Sequence, residues 1–226
     1  MKSIVELLFE NQDVKYKNFH QKLMPTINKE SVIGVRIPKI KEIIKIVRNE
    51  PFVKEFMQNL PHKYYEENNL HGGLLNSIQE EKEFFDFVEK FIPYIDNWAT
   101  CDFTVSYLKS VKKYKKEFFE RIKVWVKSNK PYVVRFAIVL LLTYYKDEFT
   151  KEIFDLVNSI KSEEYYVNMA IAWFYSVALV KNYDITVKII ESKTLPTFIQ
   201  NKSISKAVDS FRISDKNKEY LKTLRV

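Results

Sequence analysis

The fold class is decided by the stretch PYVVRFAIVLLLTYYKDEFTKEIFDLVNSIKSEEYYVNMAIAWFYSVALV, residues 131–180. Its two ends, 131–145 and 164–180, are long apolar runs, whereas the middle, 149–162, mixes apolar with charged residues. Apolar residues recur in all three parts at the three- and four-residue spacing of one helix face. The stretch therefore predicts a long apolar helix, a shorter amphipathic helix and a second long apolar helix.

The same order of a longer and a shorter helix is predicted on either side of this stretch. Residues 97–111 and 116–128 form one pair, and the run at 164–180 is followed by a shorter one at 184–195. The pairs open at 97, 131 and 165, and a period of about 34 residues is typical of helical repeats. One pair cannot bury its own apolar face, so neighbouring pairs stack and the array curves. We therefore predict an all-α fold, a helical-repeat solenoid with a concave surface, and keep an irregular helical bundle as the alternative.

Domain organisation and location follow from what the chain lacks. No Gly-, Ser- or Pro-rich linker interrupts the helical pattern, so we predict a single domain over residues 1–226. The longest apolar run, 136–145, is about half of the roughly 20 residues that a membrane helix needs, so we expect no membrane partner. The single cysteine, Cys101, favours a reducing setting, and we expect a cytoplasmic protein. A groove that holds a ligand has to stay open, which favours a monomer.

Several kinds of chemistry are excluded by composition. Only three glycines occur, Gly34 and the pair Gly72–Gly73, and phosphate-cradling loops need more of them at fixed spacing. The three histidines and the one cysteine do not have the spacing of metal ligands. We therefore expect neither a nucleotide cofactor nor a metal.

The charge of the chain points to an anionic partner. The formal net charge is +8 and the pI is near 9.2, a balance that nucleic acid most often explains. Basic residues concentrate between 109 and 127, a segment that we call the basic stretch; they are Lys109, Lys112, Lys113, Lys115, Lys116, Arg121, Lys123 and Lys127. We expect a phosphate backbone to pass them. Since Lys outnumbers Arg 31 to 6, a generic lysine-rich surface is the alternative.

Four residues form the candidate site. Trp98 and Asp102 are four positions apart, which in a helix places them one turn apart on one face. Arg135 follows Trp98 by 37 residues and Trp173 follows Arg135 by 38, close to the repeat period, so a solenoid would align all four. Arg135 interrupts an apolar helix and needs a partner or a cavity. Two structural alternatives stay open: a buried Arg135–Asp102 ion pair, and tryptophans that belong to the core.

Five segments, taken in order, carry a resemblance to a known family: VIGVRIPKIKEI (32–43), YYEENNLHGGLL (64–75), WATCD (98–102), YVVRFAIVLL (132–141) and EYYVNMAIAWFYSVAL (164–179). Together they resemble the DNA alkylation repair enzymes, HEAT-like-repeat DNA glycosylases of the AlkD type. The resemblance spans roughly residues 3 to 215.

The resemblance implies an activity and its residues. Such enzymes hold duplex DNA in a concave basic groove and excise cationic N3- and N7-alkylated purines, leaving an abasic site without a metal or organic cofactor. Asp102 matches the catalytic aspartate, Trp98 and Trp173 the two tryptophans of the cleft, and Arg135 its arginine. Lys109, Lys112, Lys113 and Lys116 are expected to contact DNA. The base need not be flipped into a protein pocket.

Two departures keep alternatives open. Position 176, where relatives commonly have a basic residue, is Ser176. The stretch YKNFHQKLMPTINKESVIG (16–34) contains Pro25, which shortens the helix that probes the minor groove in active relatives, and it is similar to a subgroup that lacks this helix. The alternatives to a glycosylase are a non-catalytic DNA-binding relative and a protein-interaction scaffold.

A few other residues have weaker predictions. We expect Cys101 to be core and His71, before Gly72–Gly73, to lie in a turn. Glu66–Glu67 are interpreted as capping or solvated acids. Arg212, near the C-terminus, is interpreted either as a DNA contact or as part of a cap on the last repeat.

Overall fold

Residues 2–226, the part of the chain that this computed structural model describes, contain fourteen α-helices and no β-strand. The all-α prediction is therefore confirmed. The helices are α1 Ile4–Glu10, α2 Val14–His20, α3 Ile37–Val47, α4 Phe52–Gln58, α5 Tyr65–Leu74, α6 Glu81–Phe91, α7 Trp98–Tyr107, α8 Lys115–Trp125, α9 Pro131–Tyr144, α10 Lys151–Asn158, α11 Tyr165–Lys181, α12 Tyr183–Glu191, α13 Thr197–Val208 and α14 Asp215–Thr223.

The predicted period appears in the helix starts. The first helices of the three pairs, α7, α9 and α11, begin at Trp98, Pro131 and Tyr165, where the sequence predicts starts at 97, 131 and 165. The longer-then-shorter order is confirmed for α9 and α10, with 14 and 8 residues, and for α11 and α12, with 17 and 9. It is wrong for α7 and α8, which have 10 and 11 residues.

Asn76 explains why α7 is shorter than predicted. Its side-chain amide donates a hydrogen bond to the carbonyl of Tyr107 at 2.9 Å, and its side-chain oxygen accepts one from the N–H of Lys109 at 2.8 Å. Both backbone groups belong to the end of the helix, and this side chain satisfies them there. The apolar pattern beyond Tyr107 therefore continues as a 3₁₀ turn, Lys109–Lys112.

The chain divides into two compact units between Lys113 and Tyr114. In the first unit α5 is buried at all of its positions and packs on α3 and α7. A Cβ at Gly72 would overlap the Thr104 side chain of α7, and one at Gly73 would overlap Ile44 of α3. The glycine pair thus lets two helices approach α5 closely, and the predicted turn at His71 is wrong, because His71 is buried inside α5.

In the second unit α11 packs on both α9 and α13. Most of its residues are buried, as are those of α9, which agrees with the long apolar runs from which both helices were predicted. The end of α11 joins α12–α14 in one apolar cluster. Its buried members are Leu179, Val187, Ile190, Ile204, Ala207, Ile213 and Leu221.

The single-domain prediction stays a prediction, since each unit has its own packed interior. None of the helices described between residues 2 and 226 combines the length and the apolarity that crossing a bilayer requires.

Candidate functional site

Helix α7 carries the first two predicted site residues. Asn97 begins the helix as an N-cap: its side-chain oxygen accepts a hydrogen bond from the N–H of Thr100 at 2.8 Å. Trp98, Asp102 and Ser106 are partly or fully exposed at four-residue spacing, and we call them the α7 stripe. The remainder of the helix is mostly buried, at Ala99, Thr100, Cys101, Phe103, Thr104 and Val105. The predictions that Trp98 and Asp102 share one helix face and that Cys101 is core are both confirmed.

The indole of Trp98 is held in place by the N-terminal part of the chain. Its Nε1–H donates a hydrogen bond to the carbonyl of Leu23 at 2.9 Å. The ring packs against an apolar cluster, which we call the N-terminal cluster, formed by Met24, Ile27, Val32, Tyr65 and Ala99. Because the N–H is already used, Trp98 offers a ligand its ring face rather than a hydrogen bond.

Glu66 anchors the loop that supplies part of this cluster. Its carboxylate accepts hydrogen bonds from three consecutive backbone N–H groups, those of Ile33 (2.9 Å), Gly34 (2.6 Å) and Val35 (3.1 Å). Burial raises the pKa of Glu66, while the three N–H donors act in the opposite direction. Glu66 is therefore neither a solvated acid nor a helix cap, whereas its neighbour Glu67 does cap α5, accepting from the N–H of Tyr64 at 2.8 Å.

Gly34 is required at the centre of that loop. Its φ of 97° lies in the left-handed region, which glycine adopts without strain. A Cβ at this position would also come within 2.8 Å of the carbonyl oxygen of Asp13. Since Val32 of the N-terminal cluster lies just before Gly34, the conformation of this loop helps to determine where Trp98 lies.

A buried histidine pair, missed from the sequence, supports the same unit. His62 Nε2 lies 2.9 Å from His71 Nδ1, and the ring of His71 stacks on Phe91 with centroids 4.0 Å apart. Burial lowers the pKa of His62 to about 4, and burial together with the neighbouring His62 lowers that of His71 well below its usual range. Both rings are therefore neutral near pH 7. The nine-residue separation of the two histidines in the sequence gave no sign of this contact.

The N-terminal segment forms a short helix despite Pro25. Helix α2 runs over Val14–His20 and continues into a 3₁₀ turn at Gln21–Leu23, before the proline. Phe19 and Leu23 are exposed on this segment, whereas His20 is buried against the Tyr65 hydroxyl at 3.0 Å. The prediction that Pro25 ends the helical segment is confirmed.

In the second unit, Arg135 links two helices. It lies on α9 with 6% of its surface exposed, and its Nη1 donates a hydrogen bond to the carbonyl of Tyr166, on α11, at 2.8 Å. The requirement for a partner, inferred from the apolar sequence around Arg135, is thus met in part by a backbone oxygen. The guanidinium is enclosed where α9 packs on α11.

Trp173 is half-buried on α11 and lines a cleft of about 420 Å³, which we call the Trp173 cleft. The other lining residues come from α9 and the turn after it, from α11, and from α13 and the turn after it: Leu142, Thr143, Lys146, Ser176, Val177, Val180, Lys181, Lys206, Ser210 and Arg212. Ser176 donates its hydroxyl to the carbonyl of Trp173 at 2.8 Å. Lys146, Lys181 and Lys206 of this cleft had no role in the sequence-based prediction, since no run of basic residues marks them.

The basic stretch covers the turn between α7 and α8 and the whole of α8. Lys109 and Lys112 belong to the 3₁₀ turn, Lys113 follows it, and Lys116 lies in the first turn of α8; all four are exposed. Other cations of the stretch are used within the protein. Lys115 and Lys123 form ion pairs with Glu148 at 2.5 Å and with Glu152 at 3.0 Å.

Two of the predicted site residues lie in the first unit and two in the second. Trp98 and Asp102 share a face of α7 in the first unit, and Arg135 and Trp173 lie on the adjacent helices α9 and α11 in the second. Between residues 2 and 226 there is no group of three or more His, Cys, Asp or Glu side chains placed to hold a metal ion.

Comparison with known proteins identifies a family. Residues 4–192 match the family described as DNA alkylation repair enzyme. A search of curated proteins returns no significant match.

Proposed function

Because the chain belongs to the DNA alkylation repair enzyme family, we propose that it is a monofunctional DNA glycosylase. It hydrolyses the N-glycosidic bond of cationic N3- and N7-alkylated purines in duplex DNA. The observation that carries the proposal is the α7 stripe, where a half-buried indole and a partly exposed carboxylate lie one turn apart on an otherwise buried helix.

The chemistry suits a carboxylate in this position. An alkylated purine is positively charged and already a good leaving group, and the sugar becomes oxocarbenium-like as the base departs. Asp102 stabilises that developing positive charge and orients the attacking water. No covalent intermediate and no activation of the base by an acid are needed, since the leaving purine departs neutral.

Trp98 and Trp173 each offer a cation the face of an indole ring. An indole face attracts a cation by about 0.5–2 kcal/mol, depending on how far the pair is desolvated. Trp98 is suited to this role because its hydrogen bond to the carbonyl of Leu23 fixes the ring before a ligand arrives. Trp173 provides the second face.

The basic residues hold the DNA. Lys109, Lys112 and Lys116 are exposed and form no ion pair within the described residues 2–226, so their charges are available to phosphates. Lys113 is exposed beside them, and we assign Arg135 to the phosphate next to the lesion. Such contacts supply affinity that does not depend on sequence.

A second candidate is a DNA-binding relative without catalysis. Two observations favour it: Ser176 provides no cation where one was expected, and Arg135 is largely enclosed. Both would weaken the hold on the phosphate next to a lesion without preventing binding elsewhere.

Base release from methylated duplex DNA tests the proposal. We expect the parent protein to release 3-methyladenine and 7-methylguanine, and Asp102→Asn to release them at least about 100-fold more slowly, the scale of losing one transition-state charge contact. Asp86→Asn, a change of the same kind at an exposed position of α6, is the matched control and should behave as the parent.

Two results would decide against a glycosylase that uses Asp102. Equal release by Asp102→Asn and the parent would remove Asp102 from the mechanism. No release by the parent, with duplex DNA still bound at low salt, would favour the non-catalytic relative.

A further inference from the structure

The Trp173 cleft is lined by four cations and by no acidic residue. The cations are Lys146, Lys181, Lys206 and Arg212; they come from the turn after α9, from α11, from α13 and from the turn after α13. We propose that this cleft binds a phosphate of the DNA backbone beside Trp173, with Arg212 as its principal ligand. The proposal rests on DNA as the partner of the proposed function, but it does not depend on base excision.

An acidic residue outside the cleft, Asp147, neutralises only part of the positive charge of the cleft. The ammonium of Lys181 lies 2.6 Å from the carboxylate of Asp147, and this hydrogen bond, aided by the charges of Lys181, Lys146 and Lys115, lowers the pKa of Asp147. Lys146 and Arg212 form no ion pair with any residue in 2–226. The cleft therefore keeps a net positive charge, and a phosphate is the commonest anion that a DNA-bound protein meets.

Ser176 lines the Trp173 cleft with a small side chain, so the cleft has space for a ligand. Its side chain is short, and its hydroxyl is turned back onto the carbonyl of Trp173 on its own helix. A long basic side chain at this position would occupy the cleft, whereas here the charge is brought in from α13 and the following turn. Arg212 thus brings positive charge into a cleft to which Ser176 contributes none.

Arg212 is placed for this role by its backbone. Its N–H donates to the hydroxyl of Ser210 at 3.2 Å, and the next residue, Ile213, is buried in the apolar cluster of α11–α14. The turn is thus held on both sides of Arg212, while its side chain is exposed at the cleft. A guanidinium whose backbone is already ordered loses less conformational entropy on binding, and its planar fork matches two phosphate oxygens.

Salt-dependent binding of an undamaged, fluorescently labelled duplex tests the inference. The logarithm of the association constant falls linearly with the logarithm of the salt concentration, with a slope of about 0.9 for each phosphate contact. We expect Arg212→Ala to reduce this slope by about 0.9 and to weaken binding at low salt by about tenfold. Arg212→Lys should retain most of the slope, because it keeps the charge.

Lys188→Ala is the matched control. Lys188 is an exposed lysine of α12, outside the cleft, without an ion pair among residues 2–226, so its loss should leave the slope unchanged. Circular dichroism of each variant checks that the fold is kept. The inference is overturned if Arg212→Ala and Lys188→Ala give the same slope as the parent, or if the parent does not bind DNA.

Base release, measured in parallel on methylated duplex, separates the two proposals. A reduced slope for Arg212→Ala in a protein that releases no base would support the phosphate site and overturn the glycosylase. Base release by the parent with an unchanged slope for Arg212→Ala would do the reverse.

Discussion

Trp98 and Trp173 are the two tryptophans of the candidate site, yet their surroundings differ. Trp98 has its indole N–H bonded to the carbonyl of Leu23 and its ring packed on the N-terminal cluster. Trp173 lines an open, positively charged cleft, and its indole N–H bonds to no residue between 2 and 226. Trp98 therefore contributes to the packing of the protein as well as to the candidate site. The ring of Trp173 lines the cleft and can contact a ligand there.

The difference extends to the two units. The first unit contains a fixed polar framework, formed by the Glu66 carboxylate, the His62–His71 pair and the Asn76 amide. The second surrounds Trp173 with long basic side chains. A substitution near Trp98 should therefore change stability first, and one near Trp173 should change binding first.

The largest effect should follow from Glu66→Ala, which removes the support of the loop before α3. Three buried N–H groups would lose their acceptor, and each unsatisfied group costs about 1–3 kcal/mol, partly relieved by water entry. We expect the free energy of unfolding to fall by about 4 kcal/mol, measured by urea denaturation. Glu30→Ala, at an exposed position of the same N-terminal region, should change it by less than about 0.5 kcal/mol. Similar losses for both variants would show that the three hydrogen bonds contribute little.

Acid should weaken the first unit before the second, because all three histidines of the chain precede residue 114. The pKa of His62 falls from an ordinary 6.5 to about 4 in the folded protein, so the unfolded chain binds the proton more tightly. The stability from this group is complete above pH 6.5 and is lost as the pH falls towards 4, by up to about 1.4 kcal/mol per pH unit. His71 acts in the same direction.

Between pH 7 and pH 5 we expect a loss of about 2–3 kcal/mol in the free energy of unfolding, followed by urea denaturation at each pH. His62→Gln removes one titrating ring and should flatten this dependence. A parent protein equally stable at both pH values would contradict a neutral buried pair.

The two tryptophans themselves give the smallest effect and the most direct comparison. Trp98→Ala loses a half-buried ring and a hydrogen bond, and we expect about 2 kcal/mol less stability. Trp173→Ala opens a cleft that already reaches solvent, so its loss should stay below about 1 kcal/mol. Urea denaturation measures the free energy of unfolding of both variants. Equal decreases would mean that the residues around Trp173 pack on its ring as tightly as the N-terminal cluster packs on Trp98.

Much of this fold follows from sequence patterns that extend over only one or two helix turns. The starts of α7, α9 and α11 were predicted to within one residue, because apolar periodicity, Asn97 and Pro131 all act within one or two helix turns. The pairing of Trp98 with Asp102 on one face was predictable for the same reason. The lysines of the basic stretch could be identified from the sequence because they lie close together in the chain.

Other features depend on contacts between segments far apart in the chain. Asn76 ends α7 from 31 residues away, and Glu66 binds a loop more than 30 residues before it. The glycines of α5 resemble a turn in sequence, but they serve close packing against Thr104 and Ile44. No periodicity encodes which polar side chain will meet which backbone group.

The sequence by itself determined the helical class, the repeat period, the family and the four candidate residues, because helix periodicity and caps are local and a family pattern is a property of residue order. Only the tertiary structure decided that Trp98 is bound to the scaffold, that Arg135 is enclosed, and that Lys146, Lys206 and Arg212 meet beside Trp173. The physical reason is that exposure and charge clustering arise when helices pack, and packing joins residues that the chain keeps apart.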